Sequence, residues 1–404
     1  MKLVLLCHPS FLPSHSMPRF AQLLKDSYEA RGHVVDVWSP KALLFKCVPA
    51  SRLSKWAGYV DQYLLFPLAM RRAVKRTSRD TLFVFCDQAL GPWVAPVRNR
   101  PHVVHVHDLL ALRSALGEVP ENPTSVTGRI YQRYIRRGFR HARHFISVSR
   151  KTRDDLHRFG GISAVTSDVV YNGMNFPYAP LPRTESERVL RTAGVPVPAA
   201  GMILHVGGGQ WYKNLLGVVA IYARYASQAS EPLPLWCVSP EPNAAVKSAL
   251  ARIPKSGGQV LFLKSLDSRV LQALYSLAGA FLFPSLAEGF GWPLIEAQAC
   301  GCPVITTDEP PMNEVAGAAA VCLPRLNSPA DLDRWAIHGA TVLRDLLAES
   351  DADKARRRES GRIWASRFEA GKAIDGYLSI YEKVLESAAG IGVMDAGRRQ
   401  SMRI

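Results

Sequence analysis

Short apolar runs separated by amphipathic stretches recur along the whole chain. In the first half, residues 3–7, 34–38, 82–86, 103–106, 145–148 and 169–171 read as strands. Residues 20–30 carry the spacing of an amphipathic helix, which Arg31-Gly32 ends. Strand and helix alternate, and that order predicts a parallel, doubly wound sheet. A proline-rich stretch follows at 176–200, with Pro177, Pro180, Pro182, Pro196 and Pro198, and reads as a linker.

The pattern then restarts. Residues 202–206, 235–238, 260–263, 280–283, 304–306 and 320–323 read as six further strands. Residues 371–388 read as a closing amphipathic helix, and 389–404 as a frayed end. The prediction is an α/β protein of two Rossmann-like domains facing a cleft. Their bounds are 1–180 and 181–370, and segment 371–404 packs back on the first domain. A length of 404 residues agrees, being too long for one ordinary core.

Composition changes this picture little. Apolar residues make up 48% and charged residues 21%, as in a globular protein. No apolar run approaches the roughly 18 residues of a membrane span. The opening run stops at His8-Pro9, too early for a secretory signal, and reads as a buried strand. The seven cysteines are scattered, apart from Cys300-Gly301-Cys302, and read as small buried hydrophobes in a reducing compartment.

Charge changes more. Residues 1–190 carry 28 Lys and Arg against 14 Asp and Glu, a net of +14, while the remainder is at +2. Arg71, Arg72, Lys75 and Arg76 follow the apolar stretch 63–70, and Arg133, Arg136, Arg137, Arg140 and Arg143 recur at helical spacing. An anionic membrane face is the partner this predicts. A solvated basic face over a core helix is the plainer alternative. Nucleic acid fits less well, because no basic motif interleaved with aromatics accompanies the charge.

Three strand ends carry candidate chemistry. Strand 280–283 leads into Glu288-Gly289-Phe290-Gly291-Trp292-Pro293 and a helix whose first turn is predicted to hold Glu296. Glycines let the backbone approach a ligand, and the helix start favours phosphate. Strand 202–206 leads into Gly207-Gly208-Gly209 and then Lys213-Asn214, a loop suited to cradling a diphosphate. Strand 103–106 ends at His107-Asp108, a donor for a sugar hydroxyl or a structural histidine. Taken singly, each element is equally compatible with an ordinary turn or a solvated side chain. His105 and His107 find no third metal ligand at a convincing spacing.

In combination these residues resemble retaining glycosyltransferases of the GT-B fold, family 4 (glycosyl transferases group 1). The resemblance covers nearly the whole chain. It rests on Arg31-Gly32-His33, His107-Asp108-Leu109, Ser147-Val148-Ser149, Asn172-Gly173-Met174 and Glu314-Val315-Ala316-Gly317. The longest match runs from Phe281 to Pro303 and contains the paired glutamates Glu288 and Glu296. The chain departs from the family twice. Gly208 stands where an arginine is common, and Ser14 to Arg19 replaces the usual glycine-rich turn after the first strand.

The resemblance implies a metal-independent hexosyltransferase, of mannosyltransferase-like type, that needs no cofactor and uses a GDP- or UDP-sugar. Lys213, Glu288 and His107 would be catalytic. Gly207, Gly208, Gly209, Lys213, Asn214, Glu288, Gly289, Phe290, Gly291 and Glu296 would hold the donor. Ser16, Met17, Arg19 and Asp108 would line the acceptor side; the charge pattern, not the resemblance, makes Arg71, Arg72, Lys75 and Arg76 the membrane-docking candidates. A glycan or lipid-linked acceptor in bacterial surface polysaccharide or lipopolysaccharide synthesis is expected. The expected location is cytoplasmic, peripheral on the inner membrane. The main rival is a non-catalytic GT-B scaffold, which predicts nucleotide binding without turnover. A glycoside hydrolase has no use for a diphosphate loop. A dinucleotide oxidoreductase needs a glycine-rich turn where His8-Pro9 stands.

Overall fold

The computed structural model describes residues 1–11, 16–48, 52–253, 258–264 and 266–401, without the side chains of Ser16, Arg52 and 390–401. The chain divides into two compact units, Met1–Asn175 with Ala370–Ile404, and Phe176–Glu369. The proline-rich stretch after Asn175 is more than a linker. It contains the helix Arg183–Thr192, which buries Ser186, Val189 and Leu190. Arg269 pairs with Glu185, and Gln272 donates to the Ala179 carbonyl, tying this segment to the helix Ser268–Leu277.

The first unit is built on six parallel strands: β1 (Lys2–Leu6), β2 (Val34–Trp38), β3 (Thr81–Phe85), β4 (His102–Val106), β5 (His144–Ser147) and β6 (Thr166–Val169). Their spatial order is β2-β1-β3-β4-β5-β6. Side chains alternate across the sheet. Val4, Leu6, Phe83, Phe85, Val104, Val106 and Phe145 pack on one face with Trp93, Ile135 and Phe139. Leu3, Leu5, Leu82, Val84, Val103 and Ile146 pack on the other with Phe20, Leu24 and Tyr28. Both faces are buried, which is why these strands read as nearly unbroken apolar runs.

The second face is completed by the closing helix, Ala370–Ser401, through Ile374, Tyr377, Tyr381 and Val384. Tyr28 donates to the Tyr381 hydroxyl at 3.1 Å, and Tyr381 meets His105 Nε2 at 2.6 Å. This helix continues through the segment expected to fray. Two other boundaries move. The first helix begins at Ser16, four residues before the predicted start. Strand β6 starts three residues before the predicted run 169–171 and shares only Val169 with it, because Thr166, Ser167 and Asp168 carry no apolar signal.

The second unit repeats the architecture with β7 (Met202–Val206), β8 (Leu235–Val238), β9 (Val260–Leu263), β10 (Ala278–Phe283), β11 (Val304–Thr307) and β12 (Val321–Leu323). The order is β12-β11-β10-β7-β8-β9. Ile203, Leu235, Ala280, Leu282 and Ile305 meet helices that contribute Val218, Tyr222, Trp335 and Leu343.

In each sheet the chain leaves its first strand in one direction and later returns to that strand's other edge. The carboxyl ends of β1 and β3, and of β7 and β10, therefore flank a crevice. That switch point is where open α/β sheets bind ligands.

In the first unit the helix Arg52–Val60 runs through a wider turn, Asp61–Leu65, into the helix Phe66–Val74. The apolar stretch 63–70 divides here: Met70 is core, whereas Leu64 and Leu68 are exposed. Tyr63 bonds Tyr131 at 2.5 Å and meets Tyr134 edge-on, so helix Val126–Phe139 lies alongside. Among the described residues no helix is long and apolar enough to cross a membrane.

Candidate active site

In the second unit, the loops after β7 and β10 are stitched together over the switch point. Leu286 N–H donates to the Tyr212 carbonyl at 2.7 Å. Asn214, in the left-handed region at φ 53°, caps the helix Leu215–Ala226 by accepting from Gly217 N–H. Its amide donates across to the Pro284 carbonyl at 3.0 Å. Between these ties lies the charged contact: Lys213 Nζ donates to Glu288 Oε1 at 2.8 Å, with side chains only 13% and 7% exposed. The ammonium also stands 4.7 Å from the centre of the Phe283 ring.

The local backbone explains the glycines. Gly209 has φ +79° and Gly291 φ +96°, values that strain any residue with a Cβ. Gly291 is the N-cap of the helix Trp292–Ala299, and Pro293 fits its first turn, where a proline's missing N–H costs little. Glu296 does not lie in that turn. It is the fifth helical residue and is buried, and Tyr275 Oη donates to it at 3.1 Å. Burial and the neighbouring carboxylate push the Tyr275 hydroxyl far up. His205, at the end of β7, donates from Nδ1 to the Leu282 carbonyl. Burial, aided by Lys213, lowers its pKa to about 4, so the ring is neutral.

In the first unit, His107 directly follows β4 and is 8% exposed. Its Nε2 donates to the Cys86 carbonyl at 2.9 Å, and its N–H donates to Gln88 Oε1. Burial lowers its pKa against the pull of Asp87. Asp108 accepts from Leu110 N–H at the start of the next helix. Met17 is half-buried and Arg19 exposed, both in the first turns of helix Ser16–Ala30; the Ser16 side chain lies outside the described residues. Among the described residues no group of three or more His, Cys, Asp or Glu is arranged to hold a metal ion.

Two family models match the chain: Glycosyltransferase Family 4 over residues 17–176, and Glycosyl transferases group 1 over residues 198–330. The chain belongs to glycosyltransferase family 4. Similar proteins include the O-antigen chain mannosyltransferase B of Escherichia coli, 26% identical over 41% of this chain and 42% of that protein. Another is the O-antigen chain mannosyltransferase RfbU of Salmonella typhimurium, 24% identical over 58% of this chain and 61% of that one. These matches span less than two thirds of the relatives' lengths. Among solved structures, the sucrose-phosphate synthase of Thermosynechococcus elongatus aligns at TM-score 0.71 and 17% identity, covering 96% of this chain and 100% of that one. WaaG, a glycosyltransferase involved in lipopolysaccharide biosynthesis, aligns at 0.65 and 16%, again covering 96% and 100%. The fold is GT-B.

This family 4 chain therefore gathers Lys213, Asn214 and Glu288 in one contact network at the second switch point. Glu296 is held from behind by Tyr275. Asn214 serves the loop itself, since both ends of its amide are engaged within the protein. The sequence reading missed the residues at the first switch point. His8 follows β1 and Asp87 follows β3, and they meet at 2.9 Å. The parallel register pairs Leu6 with Phe85, so the next two positions lie side by side. The apolar run 82–86 ending at Asp87 was the only local signal.

Proposed function

We propose that the chain is a retaining, metal-independent hexosyltransferase. It takes a sugar from a GDP- or UDP-linked donor and transfers it to a glycan or lipid-linked acceptor. The second unit (181–370 in the sequence reading) binds donor, and the first (1–180) binds acceptor. The observation that carries this reading is the Lys213–Glu288 pair between the β7 and β10 loops. A charged pair at a ligand-binding crevice, beside two glycines with positive φ, suits exchange of partners better than bracing of the fold.

The diphosphate takes Lys213 from Glu288. The loop of Gly207, Gly208 and Gly209 and the helix start at Gly289, Phe290 and Gly291 supply backbone donors and a positive dipole end. Glu288, released, holds hydroxyls of the donor sugar. Glu296 accepts from the ribose hydroxyls, oriented by Tyr275. As the anomeric carbon passes through an oxocarbenium-like state, charge grows on the leaving diphosphate, and Lys213 stabilises it. In the first unit, His107 offers its second ring nitrogen to a sugar hydroxyl, while Asp108, Ser16, Met17 and Arg19 border the acceptor. The relatives' names support a mannosyl donor and an O-antigen or lipopolysaccharide product.

The chain works at the cytoplasmic face of the inner membrane. Leu53, Trp56, Leu64, Leu68, Ile130 and Tyr134 are exposed on neighbouring helices of the first unit, beside exposed Arg71, Arg72, Lys75, Arg76, Arg133 and Arg137. Apolar side chains entering the interface, with basic ones on anionic headgroups, support peripheral docking.

The test is a thermal-shift panel of nucleoside diphosphates and their sugars, then NMR of the product's anomeric configuration. A donor at about 100 times its dissociation constant adds roughly 2.7 kcal/mol. Stabilisation by none of them, or an inverted product, overturns the reading.

A further inference from the structure

Four consecutive backbone carbonyls where β10 ends are each taken by a side chain from a neighbouring element. Thr306 Oγ1 donates to the Phe283 carbonyl at 2.9 Å, Asn214 Nδ2 to Pro284 at 3.0 Å, Thr307 Oγ1 to Ser285 at 2.7 Å and Arg325 Nε to Leu286 at 3.0 Å. Carbonyls withdrawn from water must find donors. The first three find them in short, buried side chains fixed where β11 ends or where the helix after Lys213 begins. The fourth donor is of another kind. Arg325 is half-buried, lies two residues past the edge strand β12, and reaches across β11 to the β10 loop. Its Nη1 donates to the Leu326 carbonyl at 3.3 Å and to Asn327 Oδ1 at 3.2 Å, so the guanidinium is anchored on its own loop while Nε crosses to the other. A planar fork does both at once, and a flexible ammonium has no such fixed geometry. Leu286 is where this contact matters. Its N–H donates to Tyr212, the residue before Lys213, and Glu288 stands two residues further on. One peptide segment therefore ties both members of the Lys213–Glu288 pair to a side chain from the far edge of the sheet.

We infer that Arg325 is a positioning residue for sugar transfer: by holding the Leu286 carbonyl it fixes the segment that aims Glu288 at the donor sugar. The inference rests on the transferase reading above. Arg325 touches neither sugar nor diphosphate and acts through Leu286. The amides of Gly289, Phe290 and Gly291 stand at the start of the helix Trp292–Ala299, which holds them without Arg325. Loss of the guanidinium thus loosens Glu288 and leaves the diphosphate cradle in place. A reacting geometry loosened by about 1 Å costs on the order of 10²-fold in rate, although no contact with substrate has been removed.

The experiment is a double-mutant cycle on the full chain, with the nucleotide sugar that stabilises it most and with water and methyl α-mannoside as acceptor probes. Release of nucleoside diphosphate in a single turnover is measured for the wild type, Arg325→Ala, Glu288→Ala and the double variant. Calorimetric titration with the nucleoside diphosphate alone runs beside it. Arg325→Ala loses about 10²-fold in rate. Its affinity for the nucleoside diphosphate changes little, which also establishes that it folds. In the Glu288→Ala background the same replacement costs only a small further factor, because the group it positions is already gone. Guanidinium ion, added below denaturing concentrations, restores part of the rate to Arg325→Ala and none to the double variant. Arg325→Lys keeps the charge without the fork; its rate is intermediate, and it replaces Arg325→Ala in the cycle if that variant does not fold. A side chain that only braces the fold would lower the melting temperature and slow both backgrounds by the same factor. Equal losses in the two backgrounds, or a near-wild-type rate in Arg325→Ala, would overturn the inference and leave the transferase reading standing. A wild-type chain that releases no nucleoside diphosphate overturns the transferase reading and this inference with it.

Discussion

Replacing Lys213 by alanine separates two effects that the Lys213–Glu288 contact combines. The 2.8 Å pair is almost fully out of solvent, so removing the lysine leaves Glu288 a nearly buried charge without its counter-ion. Breaking such a pair costs about 3–5 kcal/mol. For the second unit, Phe176–Glu369, each kcal/mol corresponds to roughly 2–4 °C in melting temperature, so a fall of roughly 6–20 °C is expected. Turnover falls for another reason, the loss of a preorganised cation from the developing diphosphate charge, typically about 10²- to 10³-fold. The double variant Lys213→Ala with Glu288→Gln keeps the two apart. Neutralising the carboxylate restores most of the stability, whereas turnover stays low. Calorimetry and single-turnover kinetics on the three proteins read both quantities. A folded Lys213→Ala chain with near-normal turnover would refute the catalytic assignment, and an unchanged melting temperature would refute the energetics of the pair.

Glu296→Ala should raise the donor dissociation constant and leave the chemical step nearly intact, since a ribose contact is equal in ground and transition states; Glu288→Ala should do the reverse, and calorimetric titration beside kcat distinguishes them. Activity should survive EDTA, and a loss restored by manganese or magnesium would contradict the metal-free mechanism. Co-sedimentation should favour anionic over neutral vesicles at low salt, and Trp56→Ala with Arg71→Glu should abolish it; equal binding to both vesicle types would remove the membrane claim. Stability should fall between pH 6.5 and 4. Burial lowers His205 to about 4 and His105 to about 3, so both are neutral when folded and gain protons on unfolding in that window. Each contributes a loss of about 1.4 kcal/mol per pH unit below 6.5, absent at higher pH, and denaturant midpoints at pH 7 and 5 measure it.

Much of the fold was legible because strands buried on both faces leave apolar runs that nothing else in the chain imitates. The bounds of β7 and β8, interior strands that are almost wholly buried, match their predicted runs in full; those of β2 and β9 match as well, because these edge strands are mainly apolar although exposed or half-buried. Strand β6 was misread for the complementary reason. It is a half-buried edge strand with Thr166, Ser167 and Asp168, and it carries no such run. At the candidate site, the loops holding Lys213 and Glu288 were each visible as glycine-rich strand ends. Their ion pair was not, since it joins residues 75 apart and exists only because β7 and β10 are neighbours. His8 and Asp87 were hidden more deeply. In sequence His8 is only the residue that stops a strand, and the β1–β3 register is what gives it a partner.

The closing helix imposes an order on biosynthesis. One face of the first unit's sheet, with Leu3, Leu5 and Val84, is finished by Ile374, Tyr377, Tyr381 and Val384, while everything the second unit needs ends at Glu369. A chain emerging from the ribosome amino end first therefore has its second unit complete while its first still exposes an apolar wall. That wall is a transient liability for misassembly, and a chaperone that binds apolar surface would find it on every nascent copy until Ile374 to Val384 of the closing helix appear. Ribosome-stalled chains ending at 369 should accordingly resist proteolysis within 176–369 and remain cleavable within 1–175.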